Sequence, residues 1–151
     1  MVRPSLMAKP LLSLEGIHLA ATASSQEEAV ARCGDKLIEL GAVLPDYAKA
    51  MYRREQIFSS YMGNGVAIPH GTDESRSLVN FGQLVFLRFI EPVPWQGELV
   101  SICIGIAARE DEHVEILGNL ADVLVDEESL SRLKESSSAE EILRLLTRES
   151  L

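Results

Sequence analysis

Gly63-Asn64-Gly65-Val66-Ala67-Ile68-Pro69-His70-Gly71-Thr72 is the stretch of this 151-residue chain whose residue types and spacing could do chemistry. Two glycines before Val66 allow positive φ or a close backbone approach, while Pro69 fixes its own φ and pushes Ile68 into an extended conformation. A short apolar strand follows, with His70 just past its rigid end. Gly71 adds no side chain and Thr72 adds a hydroxyl, so the imidazole is flanked by an open backbone amide and a short donor, a combination that suits an anion. A neutral imidazole is also a usable nucleophile toward phosphorus. With an ordinary pKa near 6.5, about three quarters of such groups are neutral at pH 7. The residues alone leave a second reading open, in which Pro-His-Gly is only a turn and the histidine is idle.

The chain has three histidines. His18 lies in a mixed segment and reads as a solvent-side or edge residue. His113 follows Asp111 and Glu112, and together with His70 these meet the ligand inventory for zinc. No HExxH spacing and no third strong ligand accompany them, so the sequence implies no metal and no cofactor. Cys33 and Cys103 belong to no CxxC and lie in apolar-periodic segments, as small buried hydrophobes do in a reducing compartment.

The elements that must position these residues are legible from periodicity and punctuation. Met1 to Lys9 has no clear period and is expected to be loosely held, and a short strand is expected around Gly16 to Leu19. Ser25-Gln26-Glu27-Glu28 is a capping box that opens a helix with Val30, Cys33, Leu37 and Leu40 on one face and Gly41 as its stop. Pro45 suits the first turn of a second helix, with Tyr47 and Met51 inward, that runs to about Gln56 and carries Arg53, Arg54 and Glu55 at its C-terminal end. Asp73 to Asn80 reads as a loop or short helical turn. Gln83 to Ile90 and Leu99 to Ala107 read as buried strands, separated by a proline-containing segment that allows an edge or a turn but not a central strand. A helix with the stripe Val114, Leu117, Ala121 and Leu124 follows, with His113 in its first turn. Asp126 to Leu133 reads as a short helix or turn. Ser138-Ala139-Glu140-Glu141 is a second capping box, opening a terminal helix with Ile142, Leu145 and Leu146 inward. Strands alternating with helices predict a single α/β domain over 1–151, a mixed sheet with helices on both faces.

Composition narrows the function classes. Hydrophobic residues make up 46% and charged residues 25% of the chain, ordinary values for a folded domain. A formal net charge of −9 argues against nucleic acid, whose binding rests on Lys and Arg neutralising phosphates. No apolar run approaches the length of a membrane span, so a cytoplasmic protein that is not membrane-inserted is expected.

Three motifs resemble the fructose/mannitol-type enzyme IIA domains of the bacterial phosphoenolpyruvate-dependent sugar phosphotransferase system: the Gly63 to Thr72 run, Met51-Tyr52-Arg53-Arg54-Glu55, and Ile104 to Arg109 followed by Glu112-His113. The resemblance covers the chain from about Leu14 to Leu146. It implies that His70 carries the phosphoryl group on Nε2, with His113 and Arg54 in support, and the Gly71 amide and Thr72 hydroxyl are expected to bind phosphate. It also implies a histidine-containing phosphocarrier protein as donor and a cysteine of a sugar-specific IIB domain or IIBC permease as acceptor. Asn64 departs from the acidic residue that mannitol-type domains can have there, whereas His113 favours the mannitol branch. The alternative it carries is a nitrogen-type regulatory IIA module that signals by phosphorylation of His70 and protein binding.

Overall fold

The two long apolar runs are central strands, and their side chains alternate between two cores. In the computed structural model, which describes residues 10–147, the elements in chain order are β1 (Ile17–Ala21), α1 (Gln26–Glu39), α2 (Asp46–Ile57), β2 (Tyr61–Gly63), β3 (Val66–Ala67), β4 (Gln83–Trp95), β5 (Glu98–Ala107), α3 (His113–Val125), α4 (Glu127–Glu135) and α5 (Ala139–Thr147). The expectation for Met1 to Lys9 lies outside the described residues. Sheet order is β1-β4-β5-β3-β2; β1 runs parallel to β4 and β3 parallel to β5, while the β4–β5 and β2–β3 pairs are antiparallel. This is the mixed sheet that the sequence predicts.

Val85, Leu87, Cys103 and Ala107 face α1 and α2, where they meet Val30, Cys33, Leu37, Tyr47 and Met51. Leu84, Phe86, Ile102, Ile104 and Ile106 face α3 to α5, where they meet Ile116, Leu120, Leu133, Ile142 and Leu146. Burial on both sides is why the two strands read as continuous apolar runs rather than as an alternation. Cys33 and Cys103 are free and buried, and burial pushes the Cys103 thiol well above its ordinary pKa. His18 sits on β1 at the sheet edge.

Helix ends follow the punctuation, with one shift. Ser25 Oγ accepts from Glu28 N–H at 3.1 Å, but Glu28 Oε1 accepts from Ser24 N–H at 2.6 Å, one residue ahead of the cap. Gly41, with φ +79°, ends α1 while the Gly41 and Ala42 amides return to the Ile38 and Leu37 carbonyls at 2.9 and 3.0 Å. Ser138 Oγ accepts from Glu141 N–H at 3.1 Å and so caps α5.

Three expectations are corrected. First, β4 does not stop at Ile90 but runs through Pro92 and Pro94 to Trp95. Pairing with β5 shifts between Arg88 and Val93, and β1 reaches only to Phe89, so beyond it β4 is paired on one side alone and tolerates residues without an N–H. Second, Asn64 and Gly65, with φ of 56° and 82°, turn a small β2–β3 hairpin that was not expected. Asn-Gly is the usual type I′ hairpin pair, but strands of three and two residues leave no periodic signal to flank it. Third, the buried stripe of α3 is Ile116, Leu120, Val123 and Leu124, with Leu117 and Ala121 at its margin and Val114 81% exposed. Apolar residues occupy so much of this helix that two series at three- and four-residue steps compete, and the one through Ile116 meets the sheet.

Candidate functional site

His70 continues the line of β3 alongside β5. Val66 and Ala67 pair in parallel with Ile102 and Cys103, and after a gap the pairing resumes at His70 opposite Ile106, whose amide donates to the Pro69 carbonyl at 2.9 Å. The histidine is thus held at the C-terminal end of the sheet's centre. β5 ends one short loop before α3, and His113 is the first residue of that helix. The two imidazoles come together with ring centroids 5.5 Å apart and planes tilted by 57°.

His70 Nδ1 lies 2.8 Å from the Ile68 carbonyl oxygen. A carbonyl only accepts, so Nδ1 carries the proton and Nε2 keeps its lone pair. Burial pushes the His70 pKa below 6.5, and the charges of Arg54 and His113 push the same way, while the Ile68 hydrogen bond and Glu55 oppose them. His113 is also lowered, first by burial, then by Arg76, with Arg54 adding and Asp73 opposing.

Arg54 lies in the last turn of α2, where its Nη1 donates to the Phe58 carbonyl and its guanidinium sits 5.7 Å from the centre of the Phe58 ring. Its charge acts on both histidines from there. Arg76, paired with Asp73 at 3.0 Å, is a second cation acting on His113 that the sequence reading missed. It sits in a polar 3-10 turn, Glu74–Leu78, without periodic pattern, so its nearness to His70 along the chain was the one available signal.

The open amide expected at Gly71 is a correction. Gly71 N–H donates to the Tyr47 hydroxyl at 3.0 Å, and that hydroxyl donates to the Ile106 carbonyl at 2.9 Å. Gly71 matters instead for its size, since a Cβ there would lie 2.4 Å from Ser75 Oγ and 2.7 Å from Tyr47 Cε1. The Thr72 carbonyl accepts from Ser75 N–H at 3.1 Å and Ser75 Oγ at 2.7 Å, while no hydrogen-bond partner takes the Thr72 hydroxyl among the described residues. Glu112 Oε1 accepts from the Arg109 amide at 3.0 Å. Among the described residues no three of His, Cys, Asp and Glu gather as a metal site.

Residues 10–149 match the family described as "Phosphoenolpyruvate-dependent sugar phosphotransferase system, EIIA 2". This chain belongs to that family. It is 42% identical over 132 residues to the mannitol-specific phosphotransferase enzyme IIA component of Staphylococcus aureus, covering 87% of this chain and 92% of that protein. The corresponding component of Halalkalibacterium halodurans is 41% identical over 140 residues, covering 93% and 97%. Among solved structures, the complex of enzyme IIAMTL with phosphorylated enzyme IIBMTL from Escherichia coli matches with a TM-score of 0.84 at 35% identity, covering 92% of this chain and all (100%) of the matched chain. The nitrogen regulatory protein IIA-Ntr of Neisseria meningitidis matches with a TM-score of 0.79 at 31% identity, covering 91% and 97%.

As an EIIA, the chain is a phosphotransferase of a sugar transport system. Asn64 of this EIIA is explained by its backbone, because at φ 56° asparagine is better tolerated than most side chains. Among the described residues no helix is long and apolar enough to cross a membrane.

Proposed function

We propose that this EIIA is a mannitol-class phosphoryl carrier: His70 Nε2 takes the group from the histidine-containing phosphocarrier protein and passes it to a cysteine of a mannitol-specific IIB domain, in the cytoplasm. The observation that carries this reading is the Nδ1 contact with the Ile68 carbonyl, because it leaves Nε2 as the nucleophile. In the first step the Nε2 lone pair forms an N–P bond as the donor's N–P bond breaks, and the donor imidazole regains its lone pair. In the second, a cysteine thiolate forms an S–P bond and His70 recovers its lone pair. Such a transfer asks the protein mainly for alignment and compensating charge.

A phosphorylated side chain carries about −1.5 to −2 charges. A cation about 4 Å away, at an effective dielectric near 20, is worth about 4 kcal/mol per unit charge before desolvation, against about 1 kcal/mol net for a neutral hydrogen bond. Arg54 therefore supplies the main counter-charge, His113 a nearby donor, and the Thr72 hydroxyl a hydrogen bond. Gly71 contributes through its shared amide and its lack of a side chain. The mannitol assignment is supported by the names of the S. aureus and H. halodurans relatives and by the E. coli complex, in which the partner is a phosphorylated IIB. A Vibrio cholerae relative, 34% identical over 138 residues, is a mannitol-specific EIICBA component of which the match spans 21%, which supports IIB and IIC partners here. The likeness to IIA-Ntr favours a second reading, in which the same phosphorylation signals through protein binding.

Intact masses after incubation with phosphoenolpyruvate, enzyme I and the phosphocarrier protein test the assignment. An acid-labile phosphate is expected on the parent and on His113→Ala, and not on His70→Ala. An unmodified parent beside a phosphorylated control domain overturns it.

A further inference from the structure

Glu55 takes no part in the transfer as described, yet it is only 5% exposed and its carboxylate accepts four hydrogen bonds. Oε2 accepts from Gln26 Nε2 at 3.0 Å, Ser60 N–H at 2.9 Å and Trp95 Nε1 at 3.2 Å, and Oε1 accepts from Ser60 Oγ at 2.7 Å. Every neighbour donates, so the group serves only as an acceptor. No ion-pair partner meets it among the described residues. A buried carboxylate held this way is a costly way to fill space, and an apolar side chain of similar volume would do so at lower cost.

Two of its four bonds go to Ser60, and Ser60 leads to the histidine. The Ser60 carbonyl accepts from Ile68 N–H at 3.0 Å, and the Ile68 carbonyl takes the His70 Nδ1 proton at 2.8 Å. We propose that Glu55 is a positioning residue for His70: through Ser60 and Ile68 it fixes the carbonyl that holds the imidazole as its Nδ1–H tautomer and leaves Nε2 for the phosphoryl group. The inference rests on the carrier reading of His70. The carboxylate offers charged acceptors to both Ser60 donors while also receiving Gln26 and Trp95. An uncharged amide in its place loses the charge-assisted bonds and turns its NH2 either toward the Ser60 hydroxyl, which must then reverse to accept, or toward Ser60 N–H and Trp95 Nε1, which cannot accept. The negative charge also opposes that of its neighbour Arg54 at the imidazole, so consecutive residues of α2 act on His70 with opposite sign.

The test uses the full chain labelled with ¹⁵N-histidine, comparing the parent with Glu55→Gln and Gln26→Ala. Gln26→Ala removes one donor to the same carboxylate but no link in the Ser60 route. The parent is expected to show Nδ1–H at His70. In Glu55→Gln the Nε2–H tautomer should appear, the His70 pKa should fall further, and the maximal rate of phosphate uptake should drop about tenfold, by analogy with the lower end of the loss when the hydrogen-bond partner that orients a metal-binding imidazole is removed. KM for the phosphocarrier should stay the same, and Gln26→Ala should behave as the parent. A folded Glu55→Gln with the parent's tautomer and rate overturns the proposal, as does a Gln26→Ala that slows equally. If Glu55→Gln does not fold, Ser60→Ala is expected to shift tautomer and rate in the same direction by less, and parental values there overturn the proposal. A parent that takes no phosphate sinks the carrier reading instead, while the tautomer comparison still judges Glu55.

Discussion

His70 and His113 are pushed below 6.5 mainly by partial burial, and the Arg54 charge adds to both shifts. Removing that charge has a definite sign. In Arg54→Ala both pKa values should rise in an NMR titration, and because the neutral imidazole is the nucleophile, the acid limb of phosphate uptake should move to higher pH. Unchanged pKa values would show that Arg54 does not face the site. Arg54→Lys should also slow transfer, since an ammonium cannot reproduce the planar fork of donors. A transfer rate equal to the parent's would count against that. Gly71→Ala should destabilise the fold by about 1–3 kcal/mol, measured by denaturant unfolding, because its Cβ would overlap Ser75 and the Tyr47 ring. An unchanged midpoint would mean that Tyr47 can move aside. His70 was legible because Pro69, the flanking glycines and the short apolar run give it a rigid context. The groups behind it were not: Tyr47 and Glu55 look like ordinary inward and C-terminal residues of α2, and only three-dimensional contact shows Tyr47 holding Gly71 and Glu55 reaching Ser60.

Helix α2 does more than cover the sheet, since Tyr47 and Glu55 tie it by hydrogen bonds to Gly71 and Ser60 on either side of the His70 strand, and the Arg54 charge acts on His70 from its last turn. Helix α1 lies tight against the same face: a Cβ on Gly105 of β5 would fall 2.8 Å from Val85 Cγ2 and 2.9 Å from Cys33 Cβ. Gly105→Ala should therefore lower stability by about 1–3 kcal/mol and lower Tm, because neither neighbour is the free end of a flexible chain. An unaltered Tm would contradict this packing. Continuous apolar runs and capping serines made β4, β5, α1 and α5 readable from sequence. The β2–β3 hairpin escaped because its strands are too short for a period, and the extension of β4 because prolines mark a strand edge as readily as a strand end. The α3 stripe read from sequence shares Leu124 with the buried one but otherwise lies beside it, with Leu117 and Ala121 next to the buried Ile116 and Leu120, because a helix rich in apolar residues names its buried face only once it meets Ile102, Ile104 and Ile106.

All three histidines of the chain, His18, His70 and His113, are lowered, with burial the largest cause in each. An unfolded chain takes up protons near 6.5 and the folded one only at lower pH, so the stability they contribute is present above 6.5 and lost as pH falls through the folded values. The net charge of −9 works the other way, since self-repulsion eases as carboxylates protonate. Tm measured from pH 7.5 to 5.5 in the parent and in His70→Ala separates the two: the variant should lose less stability over that interval. An equal or larger loss would show that His70 does not contribute. The same net charge should speed association with a basic partner surface, an effect that weakens with added salt. The relay as a whole is tested most directly by isolating the phosphorylated chain and mixing it, in a single turnover, with a mannitol-specific IIB domain. The phosphate should leave His70 and appear on the IIB cysteine, whereas phosphate that stays on His70 in the presence of a competent IIB domain contradicts the account.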